Sequence, residues 1–284
     1  MVTIETLPLT AIILTMNEEK RVGRCLKSLA FASKVVVIDS FSTDQTRAQC
    51  CAAWNEIGRA PEDLIFVQKI WQGFTKTRNE SIKWVQTPWV FWVDADEWVT
   101  DELRDELKNL LGQKTAQQNA PQTTTPPVYK MPRLSIFLGR EIRHGGWYPD
   151  RKARLGRTGF CEWKSGPNSS DVHEDLCATQ GTSTYGFLKG HLGHEPFLTR
   201  EEHCATNDRY STLLAEGLAQ KLKHSGGRRP SYLYILIKTG IKFIENWVFK
   251  LGILDGYPGF VIARGSAQSL YWRLMKVRRL LPGP

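Results

Sequence analysis

The apolar run Trp89–Val93 ends in Asp94-Ala95-Asp96-Glu97, and that placement is the strongest chemical signal in the sequence. On an extended chain, side chains two residues apart lean to the same side. Asp94 and Asp96 can therefore hold a divalent metal ion and the ribose or diphosphate attached to it. Asp-x-Asp alone is common in solvated loops; here it gains weight because two other apolar runs also end in polar groups. The first ends in Thr15-Met16-Asn17-Glu18-Glu19 and the second in Asp39-Ser40-Phe41-Ser42-Thr43-Asp44-Gln45-Thr46, each ahead of a helical pattern. Asn17 and Asp44 have the residue types of helix caps. Asp39 stands at the strand terminus itself, where its carboxylate can accept from a nucleobase N–H or a ribose hydroxyl. The glycine and cations of Trp71–Asn79 suit close approach to a nucleotide.

The elements that must position these groups alternate. Leu9–Thr15, Val35–Asp39, Asp63–Gln68 and Trp89–Asp94 read as strands; Lys20–Ala30, Thr75–Val85 and Asp101–Leu111 have helical spacing of apolar positions. Near-continuous apolar strands such as Val35–Ile38 suit a parallel sheet covered on both faces. Right-handed crossovers then bring the carboxyl ends to one edge, where ligands bind. This predicts an α/β chain with a Rossmann-like, mostly parallel sheet. Residues 1–112 form the nucleotide-binding half, 113–127 a polar surface loop, 128–200 a strand-rich acceptor-facing half, and 201–284 a basic tail of amphipathic helices. In that tail the polar residues of Tyr232–Leu251 make one narrow stripe, the pattern of a packing helix or of one lying in a membrane interface. Tyr271-Trp272-Arg273 and the Lys276–Arg279 cluster favour the interface.

Composition narrows the setting. The net charge is +9, yet residues 221–284 carry twelve Lys or Arg against Glu245 and Asp255, so the basic character belongs to the tail. That distribution points to an anionic membrane surface or a phosphorylated glycolipid and not to nucleic acid, for which no motif accompanies the charge. No cationic leader and no run of about 18 apolar residues occurs, so a cytoplasmic, peripheral protein is expected. Six scattered cysteines without a Cys-x-x-Cys pair fit reduced thiols, and Cys161, His173, Cys177 and His194 match no common zinc spacing.

Thr15–Glu19, Val35–Thr46, Trp71–Asn79 and Trp89–Glu97 together resemble the ordered motifs of family 2 glycosyltransferases with a GT-A fold. Phe137–Leu155, Val172-His173-Glu174 and Leu254–Gly259 resemble the subgroup of lipopolysaccharide core β-1,4-glucosyltransferases of the WaaE and LgtF kind. The resemblance implies Thr15 and Glu18 beside the nucleotide, Asp39 on the base, Arg78 on base or phosphate, and Asp94 on the ribose. It implies Asp96, with His194, on a divalent metal, Mg²⁺ or Mn²⁺. Inverting transfer needs a carboxylate to take the acceptor proton; Glu174 is the first choice and Asp150 its rival, with His173 read as structural. His144, Gly145, Gly146, Trp147 and Tyr148 form either an acceptor platform or a rigid turn capped by a core Trp. Phe41 departs from the glycine usual at its position. The implied reaction is transfer of a hexose, most simply glucose from UDP-glucose, to a heptose of the lipid-linked inner core. Two rivals differ in class. A sugar-nucleotide nucleotidyltransferase needs a Gly-rich phosphate loop after the first strand, where this chain is acidic; a non-catalytic membrane- or RNA-binding protein would act through the tail alone.

Overall fold

The computed structural model describes residues 5–116, 126–166, 174–179 and 185–281. The chain divides into two units, Met1–Arg133 with Asp150–His194, and Leu134–Pro149 with Glu195–Pro284. Most of the expected 113–127 loop lies outside the described residues, as does His173.

Strands and helices alternate at first: β1 (Leu7–Thr15), α1 (Val22–Ser28), β2 (Ala32–Asp39), α2 (Thr46–Glu56), β3 (Leu64–Gln68), α3 (Phe74–Ser81) and β4 (Trp89–Asp94). Then come β5 (Glu97–Val99), α4 (Asp101–Ala116), β6 (Val128–Phe137), β7 (Arg140–Ile142) and β8 (Asp150–Arg157). They are followed by β9 (Cys161–Ser165), β10 (Glu174–Ala178), β11 (Gly186–Phe187) and β12 (Leu192–His194). Three helices close the chain: α5 (Arg200–His224), α6 (Tyr232–Ile244) and α7 (Gly256–Leu280). Among the described residues no helix is long and apolar enough to cross a membrane.

In the first unit the sheet runs β3-β2-β1-β4-β8-β6-β12-β5, with β11 also on β6. The first four strands are parallel and their ends coincide: Thr15 pairs with Asp39, Asp39 with Gln68, and Leu14 with Asp94. That register sets the polar strand ends along one edge. β8 joins β4 antiparallel, Phe91 opposite Leu155, and continues onto β6. Side chains alternate across the pleat. Ala11, Ile13, Val35, Val37, Phe91 and Val93 face a core completed by Leu26, Leu29, Trp54, Leu103 and Leu107. Ile12, Val36, Ile38, Val90 and Trp92 face the other, with Trp163 and Leu176. Trp92 meets Trp163 edge-on at 5.5 Å, an arrangement that adds roughly 0.5–1.5 kcal/mol beyond simple burial. The expected two-sided α/β sheet is therefore present.

Close backbone approach fixes one joint. A Cβ added at Gly190 would lie 2.4 Å from the Leu103 backbone nitrogen, so α4 rests directly on this residue. Glu106 completes the joint by accepting from Lys189 N and Gly190 N at 2.8 and 2.9 Å.

In the second unit, the end of β6 turns through Leu138 and Gly139, both at positive φ, into β7. α5 begins at Thr199, whose side chain caps Glu202 N. α5 packs on α7, and Lys276 of α7 donates to Ser211 Oγ and Thr212 Oγ1 of α5 at 2.8 and 2.7 Å. Arg278 donates to Pro230 O and lies over the Tyr232 ring. Two cations of the Lys276–Arg279 cluster, expected at lipid headgroups, thus brace the helices.

Candidate active site at the carboxyl edge of the sheet

Two loops leave the carboxyl ends of β1 and β2 and are laced together by their own polar side chains. Asn17 N donates to Ser42 Oγ at 2.8 Å and Thr43 N to Asn17 Oδ1 at 2.9 Å. Glu18 N reaches Thr46 Oγ1 at 2.8 Å, and Gln45 N reaches Glu19 Oε2 at 2.9 Å. Asp44 accepts from Glu19 N and Thr46 N, so its capping role extends to both loops. Glu18 also pairs with Arg21 at 3.0 Å. Asn17 and Phe41 sit at φ 58° and 57°. The left-handed conformation at Phe41 is the physical reason a glycine suits this position. Beneath these loops Asp39 is buried and accepts from Thr15 Oγ1 (3.1 Å), Ser42 N (3.0 Å), Ser42 Oγ and Gln68 Nε2 (3.3 Å). Its four acceptor positions are filled. Any further donor to Asp39 has to displace one of these, of which the bond from Gln68 is the longest.

Next to this stands a chain of alternating charges. Arg78 of α3 donates to Glu174 Oε1 and, at 2.6 Å, to Asp94 Oδ1. Arg154 of β8 links Asp94 Oδ2 (2.5 Å) to Glu97 Oε1 (2.7 Å). Arg133 of β6 links Glu97 (3.1 Å) to Asp150 (2.6 Å), which Lys152 also approaches at 3.2 Å. The sequence Glu174–Arg78–Asp94–Arg154–Glu97–Arg133–Asp150 thus alternates sign at every step. Alternation matters because Arg78, Arg154 and Glu97 are buried, and an unpaired charge there is costly. Arg78 is further held between aromatic rings, 4.3 Å from the Trp163 centroid and 5.3 Å from that of Phe74. Asn79 clips α3 to β9 by bonding both Trp163 N and Trp163 O. Since β10 pairs with β9, Glu174 opposite Ser165, this clip also locates Glu174.

The carboxylates differ in environment. Burial pushes the Asp94 carboxyl up, but Arg154 and Arg78 together outweigh it and hold the group well below the usual carboxylate range. Burial likewise acts on Asp150 and is overcome by Arg133 and Lys152, so Asp150 also lies low. At Glu174 burial prevails over Arg78 and raises the carboxyl above its ordinary value. Its Oε2 is buried and has no hydrogen-bond partner among the described residues. Of the two candidate bases, Glu174 has the more basic carboxylate, whereas Asp150 is held by cations.

Asp96 Oδ2 lies 3.4 Å from His194 Nε2. The β12–β5 pairing, which sets His194 opposite Glu97, brings them together across 98 residues of sequence. Among the described residues no group of three His, Cys, Asp or Glu is arranged to hold a metal ion. Two adjoining protein donors nevertheless suit a cation that takes its remaining ligands from water and phosphate oxygens. Both Asp94 oxygens are engaged by arginines.

The His144–Tyr148 segment belongs to the second unit. Asp255 accepts from Arg143 N and His144 N at 3.2 and 2.9 Å, and contacts His144 Nδ1 at 2.8 Å. Gly145 N donates to Lys250 O. Trp147 packs with Phe137, Phe197 and His203 in an aromatic cluster. These bonds hold the turn and brace it with a packed Trp.

Sequence reasoning missed Glu97, Arg133 and Arg154. The available signal was an arginine inside each of two apolar strand segments, Met131–Leu134 and Ala153–Leu155, since a cation so placed requires a buried acid.

Comparison with known proteins extends the geometry. Residues 10–160, which contain Thr15, Asp39, Arg78, Asp94, Asp96 and Asp150, match the family described as Glycosyl transferase family 2. The chain is 26% identical to the lipopolysaccharide core biosynthesis glycosyltransferase LpsC of Rhizobium meliloti (strain 1021), covering 95% of this chain and 94% of that protein. It is 33% identical to the uncharacterized glycosyltransferase RC0292 of Rickettsia conorii (strain ATCC VR-613 / Malish 7), over 95% and 89% of the two chains. A solved structure, S. aureus TarS 1–349 in complex with UDP-GlcNAc, aligns at TM-score 0.42 and 17% identity, covering 96% of this chain and 90% of that one. With the family match spanning the strand ends that carry the polar edge, the chain belongs to glycosyltransferase family 2 and is a glycosyltransferase related to a lipopolysaccharide core enzyme.

Proposed function

We propose that the protein is an inverting, metal-dependent hexosyltransferase that moves glucose from UDP-glucose to a heptose of the lipopolysaccharide inner core, working at the cytoplasmic face of the inner membrane. The observation that carries this reading is the Glu174 carboxylate, raised in basicity by burial, with Oε2 unpartnered among the described residues and Oε1 tied through Arg78 to Asp94. A general base needs an oxygen with an unfilled lone pair, a fixed position and a proton affinity above that of an ordinary carboxylate. Glu174 has all three, and in this reading takes the proton of the attacking acceptor hydroxyl.

The other residues receive roles consistent with their surroundings. Thr15, Glu18 and Asp39 line the nucleoside end, with Asp39 meeting the base after Gln68 gives way. Arg78 contacts base or phosphate, and Asp94 accepts a ribose hydroxyl on the lone pairs that Arg78 and Arg154 leave free. Asp96 and His194 would hold Mg²⁺ or Mn²⁺, which supplies neutralisation of the departing diphosphate. The name of the Rhizobium relative supports the lipopolysaccharide acceptor, and the basic helices 201–284 support work beside an anionic membrane.

Calorimetry with UDP-glucose, UDP-galactose, UDP-N-acetylglucosamine and ADP-heptose, each with and without Mn²⁺ or Mg²⁺, tests the donor. One UDP-sugar should bind in a metal-dependent manner that Asp96→Ala removes. Glu174→Gln should keep that binding and lose transfer by about 10²–10⁴-fold. Transfer within tenfold of wild type in Glu174→Gln would assign the base elsewhere.

A further inference from the structure

The second unit carries an apolar surface that glycosyl transfer leaves unused. α6 is apolar on two sides. Its inner side packs: Ile235 is buried, and the Phe243 and Trp247 rings meet Phe260 at 5.9 and 5.6 Å. On its outer side Leu233, Ile237, Ile241 and Ile244 recur at helical spacing and stand in solvent. Beyond the helix the chain stays apolar and exposed at Phe249, Leu251 and Leu254, with Phe249 78% exposed. Isolated apolar residues are ordinary on a surface, but a run of this length is the mark of an interaction site.

The charge around it identifies the partner. Arg228 and Arg229 precede α6, Lys238 stands exposed on it, Lys250 follows it and pairs with Glu245, and residues 221–284 carry twelve cations against two acids. A second copy of the chain would bring two such cationic segments face to face. An anionic lipid surface offers hydrocarbon for the outer side chains and phosphates for the lysines and arginines. Among the described residues no helix is long and apolar enough to cross a bilayer, so the lipid contact open to α6 is interfacial.

We propose that residues 233–254, the outer side of α6 and the turns after it, insert into the surface layer of an anionic phospholipid bilayer. The inference rests on the membrane-surface part of the proposed function and names the segment that does the docking. It leaves Lys276 and Arg278 out of the docking surface, because both are engaged inside the helical unit.

Flotation of the full-length protein with vesicles of phosphatidylglycerol and phosphatidylethanolamine, against vesicles of phosphatidylcholine alone, provides the test. Wild type should float with the anionic vesicles and progressively less as salt rises. Ile237→Asp combined with Ile241→Asp should lower partitioning at least about tenfold. Leu213→Asp, on an exposed position of α5, should float as wild type does. The proposal is overturned if wild type binds neither vesicle, or if the double variant floats like wild type. It is equally overturned if wild type is a dimer that the double variant dissociates, since the occupant is then a second copy. UDP-sugar binding measured on the same samples separates the two readings: its absence throughout counts against the transferase assignment and leaves the flotation result standing.

Discussion

Replacing Arg154 by Met removes one guanidinium from the middle of the charge chain while conserving most of its volume. Two charge-assisted hydrogen bonds are lost, at 2.5 Å to Asp94 and 2.7 Å to Glu97. The Glu97 side chain is 0% exposed and the Asp94 side chain 28%, so neither lost bond is fully replaced by water. Removing one partner of a buried ion pair costs about 3–5 kcal/mol. Asp94 retains Arg78 and Glu97 retains Arg133, which places the expected loss near the lower end, about 3 kcal/mol. Both contacts come from the single Nη2 atom, so Arg154→Lys keeps the charge with donors enough for both acids, and a smaller loss than in Arg154→Met is expected. The assay is equilibrium urea unfolding at pH 7, followed by tryptophan fluorescence. The cycle is completed by Glu97→Gln and the double variant, in which the two losses should fall short of additivity by at least about 1 kcal/mol. A loss below about 1 kcal/mol in Arg154→Met, or additive behaviour in the cycle, would refute the view that Arg154 neutralises these acids in a buried site.

Three further outcomes follow from particular residues. Because burial raises Glu174, the acid limb of kcat/KM in transfer should fall at a pH above the ordinary glutamate range, about 4.3, activity declining as pH drops through it; Glu174→Gln should abolish that limb along with most of the rate. Phe41→Gly should leave urea stability unchanged or raise it by up to about 1 kcal/mol, since a left-handed side-chain conformation is relieved, while the β-branched Phe41→Val should lower it by a similar amount. Gly190→Ala places a methyl group 2.4 Å from the Leu103 backbone and should cost about 3 kcal/mol, visible as a lowered melting temperature; a change under about 0.5 kcal/mol would mean that α4 shifts freely.

The strand and helix order of the first hundred residues was legible because it depends on local patterns. β4 falls on the expected Trp89–Asp94, and the other three strands differ only at their starts. Apolar runs pack on both faces of a sheet, and a polar residue ending such a run marks its exit from the core, which is why Thr15, Asp39 and Asp94 could be placed at strand ends before any coordinates existed. Helices in the tail were legible as a group, and α6 in particular from the narrow polar stripe of Tyr232–Leu251.

What only the tertiary structure decided are the partnerships. Arg78 and Glu174 are 96 residues apart, and Arg154 and Asp94 are 60 apart. Their pairing depends on which strands lie side by side and on how much water burial removes, and neither quantity is written in local spacing. The same holds for the difference between Glu174 and Asp150, two carboxylates of similar intrinsic chemistry that burial and cationic neighbours separate in opposite directions. It holds also for the tail, where composition announced cations and apolar residues together but only packing showed that Lys276 and Arg278 face inward while the outer side of α6 is left uncovered. A sequence specifies which residues leave water; the packed chain determines which charges they leave it with.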